Sequence, residues 1–570
     1  MSYRDRTQVN IAPLAELFVG RRSRDRRKTR WRRLSLTAIS AFTLLCGAAT
    51  FPDAARASQS NRLMEIGVIQ RFGSKETRDL ILKPLAGNTL YLRFEGGDGN
   101  PKTLEAEQVK IELENQPLPE PQIEERVVLS IHRSFENAEQ SAQEWQQQGI
   151  EVELASPGGR WQVWAKRDVY NTPLLRRLLL QSLQTNGHEL TFLNTEVNKS
   201  IPHLSWTLDG FRYHRRVLEI SASNDRIQVA RGEKDPEPRL YGGELRLQPD
   251  AYGTYTLVNE VPLESYLRGV VPHEIGAGAP DAAVEAQAIL ARTYALRNLR
   301  RFETDGYELC ASSACQVYKG LGNTWEPADR AIAATAGKVL TYNNELVDAL
   351  YSSTSGGVTS PYTDMWDGSD RPYLQTRLDA VTNVWDLGRN SLSDEQNFRR
   401  FIGLKQGFNE DKTDLFRWRE ESKLADMNKD LKDYLQSKNH PLRNFKTIRE
   451  ARVVKRSPSG RAIELTVTTD LGSVTLRKDE ILQAFYAPLS TLFYLEPMYD
   501  KDKKLEGYTF VGGGFGHGVG LSQFGAHNLA RLGWTSDRIL TFYFPGTEVR
   551  PIDREIVFWQ DPQRGREEEF

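Results

Sequence analysis

Cysteine is scarce in this chain, with three among 570 residues, and methionine (five) and histidine (eight) are few as well. So small a set cannot knit a disulfide-framed scaffold or fill a metal knuckle made of four cysteines. An excess of one charge is also missing, since 75 Lys and Arg stand against 76 Asp and Glu. Residues 1–57 hold 12 of the basic and 4 of the acidic residues, which leaves the rest of the chain at net −9. An acidic body gains nothing from counterion release, so nucleic acid and anionic membrane surfaces are excluded as partners. Apolar runs of membrane-spanning length are lacking apart from one near the N-terminus. What remains, 39% hydrophobic and 26% charged, is the composition of globular domains, and the length accommodates roughly two to four of them.

Nine Lys and Arg between Arg21 and Arg33 precede the uncharged run Leu34–Thr50, and Ala55-Arg56-Ala57 follows as a small-x-small cleavage site. That order predicts an export signal over residues 1–57. An uncleaved anchor at 34–50 is the alternative, because the run falls between a signal core and the roughly 20 residues that span a bilayer. Either way the body is expected in the periplasm or cell-wall space.

The body reads as α+β. From Met64 to Leu113, short β-like runs alternate with Gly, Asn and Asp, and Gln116–Pro121 (QPLPEP) reads as a linker closing a region 58–122. Residues 123–187 fall into two similar halves. The first is strand, helix, strand, with the helix opened by Ser134 and stopped by Gly149; the second is strand then helix, opened by Thr172-Pro173 and closed by Gly187. Glu136-Asn137-Ala138-Glu139 and Trp161-Gln162-Val163 give this segment a resemblance to the SPOR domain, a β-α-β/β-α-β module that binds peptidoglycan strands stripped of stem peptides. The other reading is a generic α+β spacer with Trp161 and Trp164 in its core. In residues 188–555, β-like alternation continues to about Glu264. A helix from Asp281 to Arg301, apolar on most faces, is expected to be buried. Residues 387–445 read as a polar, charge-rich helical insertion that says little about function. Strands resume at Ala451, and a Gly-rich loop feeds a helix that ends at Gly533.

The informative residues are polar ones inside apolar stretches. In Val261–Ile275 (VPLESYLRGVVPHEI), Glu274 follows an apolar run and precedes a glycine-bearing stretch, which reads as a turn between packed elements. A carboxyl held against apolar walls has its charged form disfavoured and suits a general acid at neutral pH. Gln287 and Arg292 lie on the apolar helix and each needs a buried partner. Tyr351–Thr359 is a hydroxyl-rich turn, and Gly512–Gly525 packs seven glycines around His517, allowing close approach of backbone to a ligand.

These segments together resemble the SpoIID/LytB proteins of the bacterial cell wall. The matches run in order: VPLESYL…GVVPHEI, AQAILARTYAL (286–296), CQVYKG (315–320), YSSTSGG (351–357) and GHGVGLSQFGA (516–526). The resemblance implies a β-rich catalytic domain with a buried helix beside the cleft. It further implies cleavage of the β-1,4 bond after N-acetylmuramic acid in denuded glycan strands, with Glu274 as the catalytic acid. Tyr351, Ser353, Thr354, His517 and Gln523 are assigned to the sugar-binding cleft. Arg292 is assigned to substrate or to fixing the loop, because bonded directly to Glu274 it would depress that acid's pKa. Some members of the family carry metal-ligating Cys and His near CQVYKG. Here no His lies between residues 274 and 439, so no metal or other cofactor is expected, and Cys310 and Cys315 are expected to form a disulfide.

Competing motifs fail on spacing. Ala277 stands where a zinc-protease HExxH needs its second His, the Gly-rich loop has no G-x-G-x-x-G register, and Gly520–Phe524 lacks the last Gly of a nucleophile elbow. Two rivals remain: a non-enzymatic glycan-binding protein that recruits or stimulates a cell-wall amidase, and a hydrolase pairing Ser353 or Ser355 with His517.

Overall fold

In Asp79–Pro84, Leu90–Glu95, Arg226–Ala230 and Glu244–Pro249 apolar residues recur with period two, so each of these strands buries one face. The strands and helices, taken from a computed structural model that describes residues 62–73, 79–438 and 440–559, follow one another as β1 (Leu63–Phe72), β2 (Asp79–Pro84), β3 (Leu90–Glu95), β4 (Pro101–Ala106), β5 (Val109–His132), α1 (Phe135–Gln147), β6 (Val152–Ala155), β7 (Trp161–Ala165), α2 (Pro173–Thr185), β8 (Phe192–Leu208), β9 (Phe211–Arg215), β10 (Leu218–Ala222), β11 (Arg226–Ala230), β12 (Arg239–Gly242), β13 (Glu244–Pro249), β14 (Tyr255–Pro262), α3 (Leu263–Ile275), α4 (Asp281–Arg297) and β15 (Leu309–Cys310). The expected export signal lies outside the described residues. One sheet runs β15-β1-β14-β13-β10-β3-β4 and a second β12-β11-β2-β5-β7-β6, with β8 attached to β5 and β9 to β8. With 37% strand against 25% helix and a curled half-barrel, the protein is a β-rich α+β fold, as its sequence pattern indicates.

The expected linker is strand. Gln116–Pro121 lie inside β5, which pairs with β8 from Glu112↔Ser205 to Val128↔Phe192. The pairing slips only between Pro117 and Gln122, where Pro117, Pro119 and Pro121 lack the N–H a ladder needs. Proline marked an irregularity in a strand, not its end.

Residues 126–208 form a β-α-β-β-α-β unit with sheet order β8-β5-β7-β6, so its fourth strand lies beyond the boundary expected at 187. Both faces of this sheet are occupied. On one side Trp161 packs against Phe135 and Phe302; on the other Tyr252 covers Trp164, with Arg126 and Arg167 over the indole. Helix α1 is tied to the segment after α4 by Glu136–Arg301 (2.8 Å) and Glu139–Arg300. Trp161 and Trp164 are therefore core residues, and the unit is continuous with the rest of the fold.

The stretch expected to be a polar insertion is also built in. Here α5 (Glu395–Gly403) and α6 (Leu424–Ser437) are amphipathic. Phe398, Phe401, Phe408 and Phe416 form a core with Val358 and Leu492, while Met427, Leu431 and Leu435 pack under Leu465 and Val467. Its many charges sit on the outer faces at helical spacing, which is why the composition looks polar.

Candidate active site

The site rests on two buried helices. α4 carries Ala283, Ala286, Ala288, Ala291 and Ala295, all buried, so neighbouring elements approach its backbone closely. α3 extends to Ile275 in spite of Pro272, which removes a helix N–H. Its buried residues Leu263, Tyr266, Leu267, Val270, Val271 and Ile275 hold it there, so Glu274 lies in the last helical turn, not in the turn expected from sequence. Gly276, with φ 80°, ends the helix directly after it.

A second glycine brings the Cys315–Gly320 segment onto α3. A Cβ on Gly269 would lie 2.5 Å from both the Tyr318 ring and the Gly320 carbonyl. Close contact at Gly269, with Lys319 N–H donating to its carbonyl (3.2 Å), sets Val317 N–H 2.7 Å from Glu274 Oε1. Gly269→Ala should therefore cost about 1–3 kcal/mol of overpacking, offset by about 1 kcal/mol of better helix propensity. Turnover should fall by more than the small stability change explains, because the Val317 donor is displaced; thermal melts and kinetics on the same sample check this.

Three side chains expected at the site converge. Glu274 accepts hydrogen bonds from Val317 N–H, from the Tyr351 hydroxyl and from the Gln523 side chain. Tyr351 is aimed by its neighbour Gln316, which is fully buried. The Gln316 amide donates to the Tyr351 oxygen (3.1 Å) and its carbonyl accepts from the Tyr266 hydroxyl (3.2 Å), leaving the Tyr351 proton for Glu274. Tyr351 and Gln523 meet because Tyr351–Ser352 pairs in parallel with Leu521–Ser522, immediately before α7 (Gln523–Arg531). Gly520 permits it: φ is 75° and a Cβ there would lie 2.1 Å from Leu350 O. Glu274 is only half-buried as a residue, yet desolvation of its carboxyl outweighs these three hydrogen bonds and pushes its pKa up to about 7. It can both give and take a proton near neutrality.

The other expected residues are placed differently. Arg292 does not reach the site. It is fully buried and forked onto Glu264 of α3 (2.8 and 2.7 Å), with a third bond to Lys338 O (3.0 Å), so it ties helices together. Thr354 is also fully buried, its hydroxyl accepting from Phe515 N–H (2.7 Å). His517 braces the backbone: Nδ1 accepts from Val519 N–H (3.0 Å), the ring bonds the Tyr351 carbonyl, and burial pulls its pKa down to about 4. Ser353 alone among Ser352–Ser355 is not buried. Ser355 is 1% exposed and its hydroxyl donates to Asp379 (3.3 Å), so a Ser355–His517 hydrolase pair is not formed. Cys310 and Cys315 are joined in a disulfide that anchors the Gln316–Val317 segment to β15. Among the described residues no group of three or more His, Cys, Asp or Glu side chains is placed to hold a metal ion.

Sequence reasoning missed Gln316 and the Val317 N–H, although CQVYKG contained them. A polar Gln between a cysteine and an apolar pair was the available signal. A cavity of about 390 Å³ opens elsewhere, between α1 and Tyr342, Tyr362 and Tyr373; neither Glu274, Tyr351 nor Gln523 lines it.

Residues 251–342 match the family described as "Stage II sporulation protein", and residues 360–520 match a "Domain of unknown function (DUF8618)". The chain is 26% identical over 454 residues to an amidase enhancer of Bacillus subtilis (strain 168), a match that covers 70% of this chain and 59% of that protein. It is 26% identical over 360 residues to the stage II sporulation protein D of the same organism, covering 60% of this chain and 89% of that protein. The counterpart from Bacillus amyloliquefaciens is 25% identical over 340 residues, covering 57% and 84% respectively. The ordered motifs, the matched domain and these relatives agree, and together they support a cell-wall protein of the SpoIID/LytB family.

Proposed function

We propose that the protein is an exported lytic transglycosylase of peptidoglycan, cutting the β-1,4 bond after N-acetylmuramic acid in denuded strands with Glu274 as acid and base. The observation that carries this reading is the Glu274 carboxyl, desolvated to a pKa of about 7 and oriented by Val317 N–H, Tyr351 and Gln523. Protonated, it delivers its proton to the glycosidic oxygen as the bond to C1 breaks. As carboxylate, it takes the proton of the sugar's own C6 hydroxyl, which attacks C1 and closes a 1,6-anhydro ring. No water enters, so the second carboxylate of a hydrolase is not required. Ser353 and the exposed ring of Phe524, whose N–H donates to Ser353 O (3.1 Å), flank the place where a sugar would lie.

A second reading draws on the amidase-enhancer relative: the same cleft grips a strand without cutting it and presents it to a wall amidase. Product mass separates the two. The body from residue 58 onward, incubated with amidase-stripped strands, should release fragments ending in 1,6-anhydro-N-acetylmuramic acid, one water lighter than a hydrolase product. Strands bound but never shortened, with an added amidase accelerated, would replace the enzyme reading by the enhancer reading.

A further inference from the structure

The segment expected to be a polar insertion supplies a buried carboxylate beneath the site. Glu410 is 1% exposed and accepts four hydrogen bonds: from Ser355 N–H, from Gly356 N–H (2.8 Å), from Gly357 N–H (2.9 Å) and from the Ser522 hydroxyl. Ser522 Oγ itself accepts from Gly525 N–H (3.0 Å), so its proton points at Glu410. An all-donor surrounding fits the anion. Beside it Asp379, fully buried, accepts at Oδ1 from Asn409 and from the Tyr543 hydroxyl (2.8 Å each) and is hydrogen-bonded to Glu410. Two touching carboxyls in a dry site do not both ionise. Desolvation, then the Glu410 charge, hold the Asp379 carboxyl far above the usual carboxylate range.

The same turn is gripped from its carbonyl side. Arg461 donates to Ser355 O (2.6 Å) and Val358 O (3.1 Å), and Arg417 to Gly356 O (2.9 Å); Asp364 is the further carboxylate near Arg461. Tyr351–Ser352 runs directly into this turn, and Ser522 precedes Gln523. Glu410 therefore joins, through one carboxylate, the two segments whose side chains bond Glu274.

We propose that Asp379 is kept as a neutral acid donating its proton to the Glu410 carboxylate, and that this pair is the positioning element holding Tyr351 and Gln523 on Glu274. Both act through those side chains and neither is a catalytic residue. The activity part of the proposal rests on the transglycosylase reading; the proton on Asp379 does not.

The two carboxyls should respond oppositely to amide replacement in the full body of the protein. Asp379→Asn keeps an N–H toward Glu410 and an oxygen for Asn409 and Tyr543, so kcat and KM should stay within about threefold of wild type. Glu410→Gln sets an amide N–H against backbone N–H donors, so kcat should fall about 10- to 100-fold with KM changed less, as expected of misplaced catalytic groups. Ser522→Ala, which removes one donor without disturbing a buried charge, should move kcat the same way by a smaller factor and covers the case in which Glu410→Gln does not fold. Infrared difference spectra between wild type and Asp379→Asn at pH 9, where Glu274 has released its proton, should show a neutral carboxylic-acid band in wild type that Asp379→Asn lacks. If wild type binds strands without cutting them, the transglycosylase reading fails, strand affinity replaces kcat, and the infrared band still decides where the proton sits. The proposal is overturned if that band persists in Asp379→Asn, if Asp379→Asn loses as much as Glu410→Gln, or if Glu410→Gln and Ser522→Ala both stay within threefold of wild type.

Discussion

Glu274→Gln is expected to remove turnover and at the same time make the folded chain harder to unfold at alkaline pH. The amide keeps size and shape but neither donates nor accepts the proton, so kcat should drop by at least about 10²–10⁴-fold. The stability gain follows from linkage. Burial raises the native pKa from 4.5 to about 7, so between those values the native state holds a proton that the unfolded chain has released. Stability therefore falls as pH rises through that window, and the full cost is present above about pH 7. Gln carries no such cost, so urea unfolding at pH 8 should show a gain on the order of 2 kcal/mol that disappears near pH 4. Wild-type turnover should fall as pH rises through about 7, because the acid must be protonated to begin the reaction. A Gln variant active within a few-fold of wild type would remove Glu274 from the mechanism. Equal stabilisation at both pH values would reject the raised pKa.

The second large effect is structural and concerns Arg292. Glu264→Ala strips the fully buried guanidinium of its forked partner and leaves only carbonyls to face it. Removing one member of a buried pair typically costs about 3–5 kcal/mol, most of it the uncompensated charge. The double variant Glu264→Leu with Arg292→Met should recover most of that loss, since an apolar pair of similar volume needs no desolvated charge. Denaturant unfolding of both variants checks the prediction. A single variant within 1 kcal/mol of wild type would show that water reaches Arg292 through the partly exposed Glu264 side.

Much of the site was legible because its chemistry is local in the chain. A carboxyl at the end of an apolar stretch and a hydroxyl-rich turn stood out by residue type, the cleft roles of Tyr351 and Gln523 came with the motifs' resemblance to the SpoIID/LytB proteins, and Glu274, Tyr351 and Gln523 do meet. Their partners are less legible because they act through backbone or from a distance. The Val317 N–H carries no residue signature, Gln316 acts by standing between two tyrosines, and Arg292 was read as polar and near the site when its partner Glu264 lies 28 residues earlier. His517 misled for a related reason: a lone histidine among glycines resembles a ligand group, yet its ring nitrogens are spent on Val519 and Tyr351 backbone.

By itself the sequence determined the β-rich α+β class, the buried helix and the order of the motif segments, because periodicity and glycine placement are properties of neighbouring residues. Only the tertiary structure decided that Gln116–Pro121 is strand, that Glu274 ends a helix carried past a proline, and that Glu410 and Asp379 lie under the site. Each of those outcomes depends on what a distant segment offers: a pairing strand for the prolines, a buried face for the helix, a row of N–H donors for the carboxylate. Local propensity opposes the first two and is silent on the third, so the energy of long-range packing decided all three.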